Sequence, residues 1–175
     1  RDGVGVFKTP PLILAHSKNG KGEASRRIHR WARRYGLRGG ESEKPTLLNS
    51  WEGVYFTFTE KVLHGMMKRA ADLGIELFVL DDGWFGGRFP RNDARAGLGD
   101  WQVNRAKLPH GLEGLIRQAE KLGIRFGIWV EPEMISENSK LYREHPEYAV
   151  RIPGKAAAVG RNQMLLDLTQ TKVQD

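Results

Sequence analysis

Apolar residues beyond Pro45 fall into two alternating patterns. Three short continuous apolar runs predict buried strands, at residues 46–49, 77–80 and 125–130. Stretches with apolar side chains three and four positions apart predict the intervening helices, at residues 59–73 and about 111–122. Strands of this kind joined by helices favour a parallel sheet that is covered on both faces. A further apolar run at residues 164–168 is a candidate fourth strand.

A six-residue segment repeats at the end of both predicted helices. Ala70–Ile75 recurs 49 positions later as Ala119–Ile124, and each copy contains a glycine that predicts the helix end. Each copy also leads into a strand that ends on acidic residues. Acidic residues at successive strand ends are typical of a (β/α)8 barrel, whose functional sites form at the carboxyl ends of the strands. A doubly wound sheet is the alternative fold, although no glycine-rich phosphate loop follows the first strand.

The segment before residue 45 has a different pattern. Residues 1–15 contain apolar residues interrupted by two prolines, which predicts the end of a β-rich region. Ser25 is a predicted N-cap for a helix that ends near Gly36. A glycine-containing linker follows, and we place a domain boundary between residues 44 and 45. The 130 residues after Pro45 are about half of the roughly 250 that a complete barrel needs, so we expect an incomplete barrel.

The net charge of +7 belongs entirely to the N-terminal segment. Residues 1–44 carry 11 Lys and Arg against 4 Asp and Glu, whereas residues 45–175 carry 17 of each. The neutral body gives no reason to expect a nucleic-acid partner. A minor alternative is that the basic residues at 24–36 bind a polyanion or an anionic membrane surface.

Composition excludes several further classes of protein. No apolar run approaches the roughly 18 residues of a membrane-spanning helix, so no membrane partner is expected. The chain has no cysteine, which excludes disulfides and a thiol nucleophile. Together with the lack of a signal-like stretch, this favours a cytoplasmic protein. The five histidines show no metal-ligand spacing, so we expect neither a metal nor another cofactor.

Two adjacent carboxylates follow the second predicted strand. Asp81 and Asp82 address one pocket only if the chain bends after them, and Gly83 permits that bend. Paired carboxylates accept several hydrogen bonds from hydroxyl groups, which suits a sugar or polyol. The alternative is structural, because Asp–Gly is also a common turn dipeptide.

Aromatic and charged residues elsewhere are further candidates. Trp129 and Glu131 share one face of the third predicted strand and its extension, where an indole offers a flat wall to a sugar or simply packs in the core. From the residues alone, Asp82 and Glu131 are a candidate acid and nucleophile pair. Trp101 lies in a long loop, where it either contacts a ligand or anchors the loop by burying its ring. Arg161 either pairs with a substrate, Asp81 or Asp82, or is an isolated surface arginine.

Five motifs occur in series: NSWEG at 49–53, LDDGWF at 80–85, LGDW at 98–101, EPEM at 131–134 and GRNQ at 160–163. With them, essentially the whole chain resembles the bacterial α-galactosidases of glycoside hydrolase family 36. The resemblance implies that residues 1–44 are the end of an N-terminal β-sandwich plus a basic linker helix. It implies that residues 45–175 are the N-terminal part of a catalytic (β/α)8 barrel.

The resemblance also implies roles for individual residues. Asp81 and Asp82 would bind the galactose 4- and 6-hydroxyls, Trp129 would line that subsite, and Arg161 would contact the sugar site. Further candidate substrate-binding residues are Trp51, Trp84, Trp101 and Glu131. The family's nucleophile follows a Lys-x-Asp pattern that this chain lacks. Both catalytic carboxylates are therefore expected beyond Asp175, and the Asp82–Glu131 pair is expected to bind rather than react.

The implied activity is retaining hydrolysis of terminal α-galactosyl residues from oligosaccharides such as melibiose or raffinose. An α-N-acetylgalactosaminidase and a non-catalytic sugar-binding protein are the alternatives. The expected partner is the α-galactoside substrate, and the full-length protein is expected to be a homo-oligomer. The fragment alone is expected to be inactive.

Overall fold

A parallel three-stranded sheet organises residues 45–175, which form one of two compact units of the chain. Strands β1 (Leu47–Asn49), β2 (Leu77–Leu80) and β3 (Arg125–Ile128) pair in that order. Phe78 of β2 lies between Leu48 and Phe126 in the register and is fully buried. The predicted parallel arrangement of these strands is confirmed. The structure is a computed structural model and describes residue 6, residues 8–155 and residues 159–174.

Six helices and two further strands complete the described elements. The helices are α1 (Lys21–Trp31), α2 (Trp51–Val54), α3 (Glu60–Asp72), α4 (Gly111–Lys121), α5 (Lys140–Glu144) and α6 (Thr171–Gln174). The remaining strands are β4 (Met134–Ile135) and β5 (Met164–Leu165). A π-helical turn follows α1 at Ala32–Gly36, and a 3-10 turn follows α5 at Pro146–Tyr148. Among the described helices, none combines the length and the apolar character needed to cross a membrane.

The two long helices of this unit, α3 and α4, each pack an apolar face into the core that contains the sheet. Leu63 and Met67 of α3, and Leu115 and Ala119 of α4, are buried in the same core cluster as Phe78. Full burial of a leucine side chain stabilises the fold by about 1.5–3 kcal/mol. The helical spacing of apolar residues therefore predicted both helices to within a residue or two of their observed bounds.

The repeated segments end these helices in the same way. The N–H of Ile75 donates to the Ala70 carbonyl at 2.9 Å, and the N–H of Ile124 donates to the Ala119 carbonyl at 3.1 Å. Gly74 and Gly123 hold the left-handed conformation that this Schellman motif requires, with φ of 79° and 69°. The sequence repeat is thus a repeated helix C-cap, which sends the chain into β2 and β3.

Two strand predictions need correction. β3 ends at Ile128, two residues before the predicted end, although the N–H of Trp129 still donates to the Leu80 carbonyl at 2.9 Å. The apolar run at 164–168 does not join the parallel sheet. Its first two residues form strand β5, which pairs antiparallel with β4. These two short strands make a small sheet of their own.

The unit formed by residues 1–44 also differs from its prediction. Helix α1 begins at Lys21 rather than after Ser25, because Gly20 ends the preceding turn with φ of 84° and Glu23 pairs with Arg27 one turn later at 2.6 Å. The predicted β-rich region falls partly on residues 1–5 and 7, which lie outside the described residues. Residues 8–15 form no strand within the described part of the chain.

Candidate functional site

The carboxyl ends of β1 and β2 place Asn49, Ser50 and Asp81 together. Asn49 donates from Nδ2 to the Asp81 carboxylate at 2.6 Å, and the Ser50 hydroxyl accepts the N–H of Asp81 at 3.0 Å. Asn49 also accepts the N–H of Trp51 at 2.7 Å through its side-chain oxygen. The NSWEG motif therefore orients the Asp81 carboxylate, and it places the half-buried Trp51 ring beside this strand end.

The chain bends directly after the second carboxylate, as predicted. Gly83 has φ of 99°, and a side chain there would press on Phe56 and Phe58 at 3.3 Å. The N–H of Asp82 donates to the Asp81 carboxylate at 2.7 Å, so the two acids are linked through the backbone. Asp82 is only 4% exposed, whereas Asp81 is partly exposed.

A buried arginine holds the second carboxylate. Arg91 is fully buried, and its Nε and Nη2 atoms donate to both Asp82 carboxylate oxygens at 2.9–3.1 Å. Its Nη1 atom donates to the Ala96 carbonyl at 3.0 Å. A bidentate pair of this kind fixes the plane of the carboxylate as well as its position. Arg161 is one predicted partner of Asp82, but in the structure Asp82 pairs with Arg91 instead.

A lysine outside every motif ties the loops around this pair. Lys107 donates from Nζ to the carbonyls of Phe56 and Gly83 at 2.8 Å and of Arg91 at 3.1 Å. Its ammonium also lies 4.9 Å from the centre of the Phe58 ring. Burial lowers the pKa of Lys107 to about 8, although the charge of Asp82 opposes this shift. Lys107 thus joins the backbone at Phe56 to the backbone at Gly83, next to Asp82, and at Arg91.

Three of the five tryptophans, Trp84, Trp101 and Trp129, form an aromatic cluster beside the end of β3. Trp101 packs against Trp84 with ring centres 6.1 Å apart, and Trp129 stacks on Phe85 at 6.4 Å. Trp84 is 4% exposed and donates its indole N–H to the Trp129 carbonyl at 3.0 Å. Trp84 therefore has no free face for a sugar, which corrects its candidate binding role. Trp101 and Trp129 are half-buried and keep part of their surface exposed.

The LGDW loop is anchored by its aspartate as well as by Trp101. The Asp100 carboxylate accepts the N–H groups of Lys140 and Leu141 at 2.7 and 3.1 Å, which satisfies the start of α5. The loop-anchor interpretation therefore fits Asp100, and it fits the half-buried Trp101, whose ring centre lies 4.5 Å from that of Phe85.

Glu131 lies half-buried just beyond Trp129. Burial raises the pKa of Glu131 above its usual range, and repulsion from Glu133 adds to the shift, whereas Arg91 and Arg161 oppose it. Gln163 donates from Nε2 to its carboxylate at 3.4 Å. Glu131 is therefore within electrostatic reach of both Arg161 and the Asp82–Arg91 pair.

Arg161 lies at the tip of a tight hairpin. Gly160 and Gln163 exchange two backbone hydrogen bonds of 3.0 and 2.9 Å, and the two residues between them have positive φ, 52° for Arg161 and 62° for Asn162. This is the backbone of a type I′ turn. The Arg161 side chain is exposed, and the opposite end of the turn, Gln163, contacts Glu131.

The structure thus brings together most of the residues singled out from the sequence. Asp81, Asp82, Trp129 and Glu131 follow the carboxyl ends of the adjacent strands β2 and β3. Arg91 and Lys107 were missed, because nothing in the local sequence distinguishes them from other loop cations. Within residues 8–155 and 159–174, no group of three or more acidic or histidine side chains is arranged to hold a metal ion.

Parallel strands define a mixed α/β protein, and the acidic and aromatic residues at their carboxyl ends are its candidate site. A sequence model of the melibiase family matches residues 6–175, and the chain belongs to this family. The chain is 47% identical over 171 residues to α-galactosidase AgaA of Geobacillus stearothermophilus, covering 97% of this chain and 23% of that protein. It is 45% identical over 182 residues to α-galactosidase C of Emericella nidulans, covering 97% of this chain and 24% of that protein.

Solved structures of relatives share the fold. A variant of the family 36 α-galactosidase AgaA from Geobacillus stearothermophilus, in complex with raffinose, superposes with a TM-score of 0.81 and 47% identity, covering 86% of this chain and 21% of that one. The galactosidase domain of the α-galactosidase–sucrose kinase AgaSK superposes with a TM-score of 0.78 and 45% identity over the same shares. The chain spans about a quarter of the length of the curated relatives that it matches.

Proposed function

We propose that this chain forms the galactose-binding part of a retaining α-galactosidase. One observation supports this proposal above all others. Asp81, Asp82 and Trp129 follow the carboxyl ends of two adjacent parallel strands in a chain of the melibiase family. Carboxylate oxygens accept hydrogen bonds from sugar hydroxyls, and an indole face covers the apolar side of a sugar ring. The structure of a relative that is 47% identical to this chain contains bound raffinose, which supports an α-galactoside as the substrate.

Within this proposal, residues 45–175 are the first part of a (β/α)8 catalytic barrel. The three parallel strands are its first three, and the rest of the barrel follows in the longer protein. Residues 1–44 are the end of an N-terminal β-sandwich and the basic linker helix that precedes the barrel. A site at the carboxyl ends of the strands is where barrels of this class place substrates.

The proposed reaction is a double displacement at the anomeric carbon. An aspartate beyond Asp175 attacks that carbon while a second carboxylic acid protonates the leaving oxygen, and water then hydrolyses the galactosyl-enzyme with retention. Asp81 and Asp82 contribute by binding the 4- and 6-hydroxyls, and Arg161 contributes at the rim of the sugar site. Such contacts accelerate the reaction to the extent that they strengthen in the transition state.

The axial 4-hydroxyl gives this site its selectivity. A glucoside would leave an acceptor oxygen of the paired aspartates without its donor, and a buried polar group left unpaired costs about 1–3 kcal/mol. The proposed site therefore prefers galactosides to glucosides.

The test of this function is Asp81→Asn in the full-length protein. Asp81 is the better target of the two aspartates, because a change at Asp82 also strips Arg91 of its buried partner. We expect kcat/KM for melibiose to fall more than tenfold, because a contact to a charged acceptor contributes about 1.5–3 kcal/mol. Urea unfolding is the control for folding. The two Asp81 oxygens accept from Asn49 and from the N–H of Asp82, so the variant loses one of these bonds and its midpoint should fall modestly while the transition stays cooperative.

Three results would contradict the proposal. Wild-type activity in Asp81→Asn would remove the binding role of Asp81. Galactose binding without turnover in the wild-type protein would favour a non-catalytic sugar-binding protein. Preferential hydrolysis of α-N-acetylgalactosaminides would identify the related glycosidase instead.

A further inference from the structure

The ammonium of Lys107 is used up by three backbone carbonyls. It donates to the carbonyls of Phe56 and Gly83 at 2.8 Å and to that of Arg91 at 3.1 Å. Within the described part of the chain, none of these carbonyls accepts a second hydrogen bond. An ammonium has three N–H donors and no acceptor, so Lys107 has no donor left for a substrate. Any part that Lys107 takes in the galactose site is therefore indirect.

The three carbonyls belong to the segments that hold Asp82. Gly83 directly follows Asp82 in the chain, and Arg91 donates to both carboxylate oxygens of Asp82. The guanidinium of Arg91 also lies over the Phe56 ring, 5.4 Å from the ring centre. Lys107 thus fixes the backbone beside each partner of the buried pair, and the backbone of the ring beneath the arginine.

The main chain of Lys107 is itself anchored to a helix. Its N–H donates to the Asn104 carbonyl at 3.1 Å, and its carbonyl accepts the N–H of Glu60 at 3.0 Å. Glu60 is the first residue of α3, a helix that packs Leu63 and Met67 into the core. The ammonium therefore extends from a fixed point, and its three hydrogen bonds restrain the segments that they reach.

The number of donors that Lys107 offers changes with pH. Burial lowers the pKa of Lys107 to about 8, and the charge of Asp82 opposes this shift. A neutral amine keeps only two N–H donors, so one of the three carbonyls loses its hydrogen bond as pH rises through this value. Charged side chains on the surrounding segments are hydrogen-bonded to other partners, namely Asp81, Arg91, Glu60 and Arg105.

We propose that Lys107 is a positioning residue of the galactose site, which keeps the Asp82 carboxylate in its binding orientation by holding Gly83 and Arg91. The inference rests on the proposed function, because it requires Asp82 to bind a galactose hydroxyl. Without the full set of three hydrogen bonds, the geometry of the Asp82–Arg91 pair relaxes and galactose binds more weakly. Galactose affinity therefore falls as Lys107 loses its proton.

The experiment measures the dissociation constant (Kd) of the full-length protein for galactose, by calorimetric titration at about pH 7 and about pH 9.5. Binding is the better readout here, because it does not depend on the ionisation that the catalytic carboxylates need for turnover. The variants are Lys107→Met, which removes the ammonium, and Lys107→Arg, which stays charged at both pH values. The controls are Lys121→Met, which removes an exposed lysine of α4, and Leu115→Ala, which truncates a fully buried side chain of the same helix.

We expect Lys107→Met to raise the Kd for galactose at pH 7 about tenfold, as the loss of hydrogen bonds from a charged donor predicts. The wild-type Kd should rise about fivefold between the two pH values, because Lys107 loses its charge over this range. The Kd of each Lys107 variant should change less than about twofold over the same range, since neither side chain titrates there. Both controls should bind galactose within about twofold of the wild-type value at each pH, although Leu115→Ala lowers the urea midpoint.

Three patterns would overturn the inference while leaving the proposed function intact. A wild-type Kd that is the same at both pH values would show that the proton of Lys107 has no effect on the site. An equal rise in the Lys107 variants would assign the pH dependence to another group. A Lys107→Met variant that binds galactose as well as the wild type or Leu115→Ala does would show that Lys107 serves the fold alone.

Urea unfolding checks that each variant folds. If Lys107→Met gives no cooperative transition, the comparison of the wild type with Lys107→Arg at the two pH values decides the question by itself. Failure of the wild-type protein to bind galactose at either pH would instead overturn the proposed function, and this inference with it.

Discussion

At the scale of single residues, the site depends on charges that are removed from water. The pair of Asp82 and Arg91 is nearly inaccessible, with side chains 5% and 0% exposed. Taking two charges out of water is costly, and the bidentate geometry offsets that cost only while both partners are present. The pair therefore serves to orient a carboxylate rather than to supply net stability.

We expect Arg91→Met to destabilise the full-length protein by about 3–5 kcal/mol, because Asp82 would be left as an unpaired buried charge. Urea unfolding at pH 7 measures the change. Arg88→Met is the matched control, since Arg88 is exposed and its guanidinium lies 5.6 Å from the centre of the Phe89 ring. Equal effects of the two substitutions would show that burial of the ion pair has no energetic consequence.

Glu131 should make stability depend on pH. Because the folded state raises the pKa of Glu131, the folded protein binds its proton more tightly than the unfolded chain, whose value is near 4.5. Below pH 4.5 this preference contributes its full stability, and the contribution is lost as pH rises through the folded pKa.

The carboxylate of Glu131 therefore costs stability at pH 7. We expect Glu131→Gln to raise the urea midpoint at pH 7 and to leave it unchanged at about pH 4. The exposed Glu113→Gln should change neither midpoint. A Glu131→Gln midpoint that gains as much at pH 4 as at pH 7 would show that packing, rather than ionisation, is responsible.

At the scale of elements, the loop after β2 decides where Asp82 points. Residues 83–99 return to the sheet through glycines with positive φ, and Arg91 reaches back from this loop to the strand end. A side chain at Gly86 would lie 2.4 Å from the Phe89 carbonyl, and one at Gly97 would lie 2.9 Å from the same oxygen. The loop is thus closed so tightly on itself that neither position has room for a side chain.

Gly86→Ala and Gly123→Ala separate this close contact from the cost of positive φ. Gly123 has φ of 69°, and among the described residues a Cβ added there would meet no atom within 4 Å, so alanine should cost only about 1–2 kcal/mol. Gly86→Ala should cost clearly more and should lower kcat/KM, because the backbone around Arg91 must move. Thermal unfolding and melibiose kinetics check both expectations. Equal costs at the two glycines would mean that the loop relaxes freely.

At the scale of the whole molecule, the parallel sheet has two open edges. Among the described residues, β1 and β3 each pair with a neighbour on one side only. An apolar hollow of about 420 Å³ lies where α4 meets β3, lined by residues that include Ile116, Ile124 and Phe126. In the proposed barrel the next strand and helix cover this edge and this hollow.

The 175-residue chain expressed alone should therefore associate, because unpaired edges and exposed apolar surface favour pairing with other chains. Size-exclusion chromatography with light scattering should show oligomers or aggregate, and melibiose should not be hydrolysed. A monodisperse monomer that unfolds cooperatively would argue against a barrel that continues beyond Asp175.

The sequence by itself determined the local structure of this protein. Apolar residues three and four positions apart predicted α3 and α4, and short continuous apolar runs predicted the three parallel strands. Both patterns are local, because they record which side chains of a single element are buried. The repeated Gly74 and Gly123 segments predicted both helix ends, because glycine is the residue that most readily takes the left-handed conformation of a helix C-cap. The candidate acids Asp81 and Asp82 were also predictable, since strand-end position and the following glycine lie within a few residues of one another.

Only the tertiary structure decided which side chains meet. Arg91 and Lys107 are separated from Asp82 by 9 and 25 positions, and no local pattern marks a loop cation that turns inward. Trp84 proved to be core because its indole N–H is consumed by a carbonyl 45 positions away. The pairing of β5 with β4 was missed because two-residue strands depend on distant partners rather than on their own residues. Contacts of this kind arise from the path of the whole chain, which hydrophobic periodicity does not encode.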